Sequence, residues 1–167
     1  FGGTATFLKN ITGLWLIQET KRCIELTGHN ISYPEMENLA RNATPFQCFI
    51  NPDAPEFVPA GNIPKRICEY CEKTGQYVPK HIGEVIRCIY ESLAFAYRKA
   101  FDEIRKCTGK EYSYIYMLGD GTQDKFLCQL TANTCGMPVK VCNSQSTVIG
   151  NIAVQLISSG EIPDIAH

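Results

Sequence analysis

The sequence carries no excess of charge of either sign: 16 Lys and Arg stand against 17 Asp and Glu over 167 residues, a formal net charge of −1. Nucleic acids and anionic membrane surfaces are met by clustered cations, so this balance argues against both as ligands. The most basic stretch, 61–110, spreads its cations around helix faces, where water is their ordinary partner. Long apolar runs are missing as well, and none approaches the roughly 18–20 residues of a membrane span. There is no GxxxxGK phosphate loop and no serine in a strand-to-helix elbow, and His29, His81 and His167 stand far apart. The chain begins at Phe1 with no charged-then-apolar leader, and reads as a part excised from a longer, cytoplasmic protein.

Paired cysteine motifs are scarce, although cysteine is not. The nine cysteines, at 23, 48, 68, 71, 88, 107, 128, 135 and 142, are odd in number and irregular in spacing, unlike a disulfide scaffold. Cys68 and Cys71 form one CxxC inside a helical pattern, with no second CxxC or histidine pair at a zinc-like spacing. The plain reading is a set of reduced thiols acting as small hydrophobes, with a redox-sensitive pair or a zinc site as alternatives.

What is present is a globular composition, 44% hydrophobic and 20% charged, enough for one domain with its own core. Helical spacing runs through 7–27, stopping near Gly28, and 34–42 opens on Pro34 and acids, as a helix start does. The segment 44–64 is rich in Pro, Asn and aromatics and reads as an ordered loop or short strand, followed by a helix at about 64–75. Residues 79–107 give the strongest signal: Ile82, Val85, Ile86, Ile89, Leu93, Ala96, Tyr97, Ala100, Phe101 and Ile104 recur at three- and four-residue steps. The character then changes to strand 112–118, glycine turn 119–124, helix 125–136, short strand 137–142 and helix 148–160, a βαβ unit with a parallel pair.

The turn after the first strand is the most informative feature. Gly119-Asp120-Gly121 between a strand and a helix gathers backbone N–H groups at one spot, and Thr122 is placed to cap the helix. Such a turn suits a phosphate or the ribose end of a nucleotide, and equally a plain βα turn that needs glycine for positive φ. Spacing alone does not separate the two.

The string MLGDGTQDKFLCQLTANTCGMPVKV resembles the adenosine-side motif of the FGGY carbohydrate kinases, and VIGNIAVQL is similar to a later helix of that family. FLKNITGLWLIQE, CFINPDAPEFVPAGNIP and GEVIRCIYESLAFAYR resemble segments of its rhamnulokinase branch, in family order over nearly the whole chain. The resemblance implies a helix-rich α/β fold, an actin/RNase H-like ATPase lobe incomplete at its N-terminal strands, with residues 1–167 as one C-terminal, nucleotide-side domain. It implies ATP and Mg2+ in a cleft with a missing N-terminal lobe, and a γ-phosphoryl transfer to O1 of L-rhamnulose. The alternatives are another sugar (L-fuculose, D-xylulose or glycerol) or a non-catalytic actin-like domain.

Carried over by position, Asn10 resembles a residue reaching the sugar or the cleft, with a helix N-cap as its plain role. Gln18 resembles a nucleotide-contacting glutamine, with a solvated helix position as the alternative. Asp120 and Gly121 fall in the family's glycine triplet. Two departures stand out: Asp120 replaces a glycine, and Gln145 stands where relatives carry Glu. No aspartate here maps onto the catalytic base, which is expected in the N-terminal part, so the fragment alone is expected to be inactive. Rhamnulokinases also resemble the chain in a cysteine pair at Cys71 and Cys88. This implies that the two thiols are close, on helices packed antiparallel, with a disulfide conditional on oxidation.

Overall fold

The computed structural model describes residues 8–142 and 146–163. The first helix, α1 (Trp15–Glu25), starts later than its periodicity suggests. Residues 8–14 are held out of the helix by partners elsewhere. Lys9 pairs with Glu103, and the Thr12 N–H donates to Asp53 Oδ1 at 2.6 Å. One buried stripe of α1, Leu16 and Ile17, enters the core.

α2 (Tyr33–Asn42) is punctuated as its sequence promises. Ser32 and Glu35 form a capping box, the Glu35 carboxylate accepting from the Ser32 N–H at 2.7 Å, and Pro34 sits in the first turn. The Pro- and Asn-rich stretch stays a loop, with one 3-10 turn at Pro55–Phe57 and no strand. It is anchored by its inward side chains Cys48, Ile50, Ala54 and Phe57, all buried. α3 (Ile63–Lys73) follows, and Gly75, at φ +67°, turns the chain away from it.

The 27-residue α4 (Ile82–Thr108) is the axis of the molecule. Glu84 folds back to accept from the Lys80 and His81 N–H groups at its start, and Gly109 ends it in the left-handed region. Its inward stripe (Val85, Ile86, Ile89, Tyr90, Leu93 and Ala94) packs against α1, α2, α3 and the later helix α5 (Lys125–Cys135). Glu91 is buried on this stripe, and Arg87 one turn earlier pairs with it at 2.6 Å. Arg87 also donates to the Ala40 carbonyl and lies over the Phe126 ring, so the buried charge does not stand alone.

β1 (Ile115–Met117) and β2 (Val139–Val141) are shorter than their sequence runs and pair in parallel, in the register Ile115–Val139, Tyr116–Lys140 and Met117–Val141. α5 (Lys125–Cys135) is the crossover between them, stopped by Gly136 at φ +65°. α6 (Ser146–Ser159) comes last and leaves Val148, Ile149 and Ile152 exposed. The result is a helix-rich α/β arrangement with one small parallel sheet. Among the described residues no helix is long and apolar enough to cross a membrane.

Candidate functional site

The strand-to-helix turn is built in layers. β1 ends at Met117, Gly119 takes φ +84°, and Asp120–Gln123 close a single 3-10 turn. A Cβ at Gly119 would meet nothing within 4 Å, so backbone conformation, not crowding, is what calls for glycine there.

Thr122 does not cap α5, contrary to the reading of the sequence. Its hydroxyl donates back to the Gly119 carbonyl at 2.6 Å and tightens the turn. The cap is Asp124, whose Oδ1 accepts from the Leu127 N–H at 2.9 Å while its other oxygen takes the Tyr90 hydroxyl. The sequence does carry a signal for this cap, an Asp directly before the helical run, two residues after Thr122. Burial pushes the Asp124 carboxyl above the ordinary aspartate value, opposed by its Tyr90 and Leu127 donors.

This cap decides what the turn suits. The positive end of α5 already faces a carboxylate, so a phosphate there would meet like charge. The uncharged end of a nucleotide, ribose and base, meets no such opposition. Beside the turn, Thr122, Lys125, Cys128, Gln129, Ala132, Val139 and Val141 line a recess of about 150 Å³. Ligand pockets commonly span ~300–1,000 Å³, so this recess has room for one part of a nucleotide. Asp120 and Gly121 form the first half of the 3-10 turn, and Gln145 lies outside the described residues.

A larger groove, of about 610 Å³, lies between the 8–14 segment, the 49–53 loop and the middle of α4. Asn10 is exposed between Lys9 and Ile11, which both line this groove, and it is not a helix cap, since α1 starts five residues later. Phe49 and Phe95 meet edge to face at 5.3 Å, with Asn51, Asp53 and Lys99 around them. Aromatic surface ringed by an amide, a carboxylate and an amine suits a small polyhydroxylated ligand. The loop is fixed by side chains the sequence did not single out. Glu91 accepts from the Phe46 N–H, Gln76 clamps both backbone groups of Phe49, and Ser92 accepts from the Ile50 N–H. Gln18 is exposed on α1, and among the described residues its side chain takes no hydrogen bond.

Cys71 and Cys88 are free thiols, brought together where α3 meets α4. Cys48 of the loop joins them, and the three Sγ atoms all lie within 4.8 Å of one another. The third member has no sequence signal, because it arrives from a separate loop.

Residues 1–159 match the FGGY family of carbohydrate kinases, C-terminal domain. A rhamnulokinase of Bacteroides thetaiotaomicron is 39% identical over 164 residues, covering 98% of this chain and 33% of that protein. Rhamnulokinases of Enterococcus faecalis and Bacillus subtilis are each 36% identical, covering 97% of this chain and 33% of their own lengths. The chain therefore spans about a third of the length of the curated relatives it matches. On this match, and on a helix-rich α/β structure with a glycine turn between paired parallel strands, the chain belongs to the FGGY family of carbohydrate kinases, as its C-terminal domain.

Proposed function

We propose that this chain is the nucleotide-side domain of a cytoplasmic, ATP-dependent kinase that phosphorylates L-rhamnulose at O1. The observation that carries the reading is the agreement of relatives named rhamnulokinase along nearly the whole chain, at 33–39% identity. ATP with Mg2+ would supply the transferable phosphoryl group and offset its charge, and such catalysis is mostly positioning and electrostatics.

This chain's own part is to hold. The Gly119–Thr122 turn receives the ribose and base, with Asp120 and Gly121 as its backbone, and Gln18 reaches the nucleotide from α1. Asn10 faces the cleft, where its amide can both donate to and accept from hydroxyl groups. The acids near these positions are committed elsewhere: Asp124 caps α5 and Asp53 holds the Thr12 N–H. That supports a catalytic base in the N-terminal lobe. An apolar recess of about 270 Å³ between α4 and β1, lined by Tyr97, Phe101, Ile104, Ile115 and Met117, supports a sheet completed by further strands of this same ATPase lobe. A two-stranded sheet is marginal by itself.

The test is ADP release by the full-length protein with L-rhamnulose, L-fuculose, D-xylulose and glycerol at equal concentration. L-rhamnulose is expected to give the highest kcat/KM; a higher value with another of the four overturns the substrate assignment. A second reading, a domain that keeps the fold without catalysis, is favoured by Asp120 in place of glycine. No turnover with any of the sugars would select it.

A further inference from the structure

We propose that Cys48, Cys71 and Cys88 form a three-sulfur site for a thiophilic divalent d10 metal ion, zinc or cadmium in class. The three thiols come from three separate elements, the 43–54 loop, α3 and α4, and are 3%, 0% and 2% exposed. Their sulfurs lie within 4.8 Å of one another. A metal with bonds of about 2.3 Å to three sulfurs in a plane holds them about 4.0 Å apart. Closing the cluster onto a metal therefore needs less than about 1 Å of movement per pair.

The surroundings are already arranged for this. Cys48 does not sit on a loose loop. The backbone on either side of it is pinned by Glu91 at Phe46, by both ends of the Gln76 amide at Phe49, and by Ser92 at Ile50. These clamps aim the Cys48 sulfur at the two helices, as outer partners orient the ligands of a metal site.

Charge selects the class of ion. Three thiolates around a monovalent ion leave −2 in an apolar core, whereas a divalent ion leaves −1, a smaller desolvation cost. A fourth sulfur is near in sequence but turned away. Cys68 shares the CxxC with Cys71, yet its thiol donates to the Pro79 carbonyl at 3.5 Å. The lone CxxC thus finds its metal-binding complement through Cys71 alone, with Cys48 and Cys88 as the other two ligands.

The test refolds the full-length protein anaerobically, with reductant, in the presence of cadmium. The expected result is retention of cadmium that depends on this cluster: one equivalent fewer in C48A and in C88A, and no change in C68A. The sulfur-to-cadmium absorption should fall in the same two variants, and a cadmium-113 resonance should report three bound sulfurs. Retention unchanged in both C48A and C88A overturns the proposal. So does a Cys71–Cys88 disulfide that is present in the purified protein, survives the reductant and keeps cadmium out. Should the alanine variants fail to fold, alkylation mapping of the wild-type protein in mild denaturant reads the same site. Joint protection of Cys48, Cys71 and Cys88 by cadmium supports it, and protection that omits any of the three overturns it.

Discussion

Asp124 does two jobs with one carboxylate, and both are measurable. It accepts from the Leu127 N–H to cap α5 and from the Tyr90 hydroxyl, which is buried. Removing it in D124A loses a cap worth about 1 kcal/mol and leaves a buried hydroxyl unpaired at about 1–3 kcal/mol. Urea denaturation is expected to show a loss of about 2–4 kcal/mol for D124A and a smaller one for D124N, whose single carbonyl oxygen keeps the cap while its amide N–H group can only donate to the Tyr90 oxygen. The two proteins should also differ in pH dependence. Burial raises the Asp124 carboxyl above the ~3.9 of an unfolded aspartate, so the folded state holds that proton more tightly than the unfolded state does. Stability from this group is then fully present below pH ~4 and declines as pH rises through its folded value. Asn carries no such dependence, so the advantage of the wild type over D124N should shrink as pH rises above about 4. A difference that grows as pH rises would contradict this account. Single residues like this one were the least legible from the sequence. Asp124 was passed over for Thr122, and the clamps Gln76 and Ser92 carry no motif, because their partners are backbone groups dozens of positions away.

Elements were far more legible, because their signals are local. The spacing of Val85, Ile86, Ile89 and Leu93 announced α4, Ser32 and Pro34 announced the start of α2, and the parallel pair followed from strand, helix and strand in succession. The errors lie at ends: residues 8–14 look helical but are pulled out by Glu103 and Asp53, contacts that local periodicity does not encode. The crossing of α2 and α4 depends on one small residue that belongs to no motif, Gly83. A Cβ at Gly83 would lie 2.8 Å from the Leu39 carbonyl oxygen and 3.2 Å from its carbon. In an open helix, replacing Gly by Ala stabilises by about 1 kcal/mol. Here the obstacle is backbone, which cannot swing aside, and overpacking costs about 1–3 kcal/mol. The second effect wins, so G83A is expected to be less stable than wild type by up to about 2 kcal/mol in the same urea titration. A gain in stability would show that the two helices separate without cost.

At the scale of the molecule, the family was readable because its motifs recur in order, while the ligand geometry was not, because in the proposed function much of the cleft belongs to residues beyond this chain. Half a cleft predicts weak binding: ADP added to the 167-residue chain should bind at about 1 mM, roughly −4 kcal/mol. Amide resonances of 119–122 and the Gln18 side chain should move in an NMR titration; shifts confined to the groove around Phe49 and Phe95 would contradict the proposed nucleotide position. α4 joins these regions. It carries Cys88 near its start, Ser92, Phe95, Ala96 and Lys99 along the groove, and Phe101 and Ile104 behind β1. With 27 residues it is a rod roughly 40 Å long. A rod of that length is a lever: pivoting by about 5° around the sulfur cluster carries its far end, about 30 Å away, by about 2.6 Å. Motion too small to break a contact at the pivot would therefore be felt beneath β1 as a shift of about 2 Å at Phe101 and Ile104.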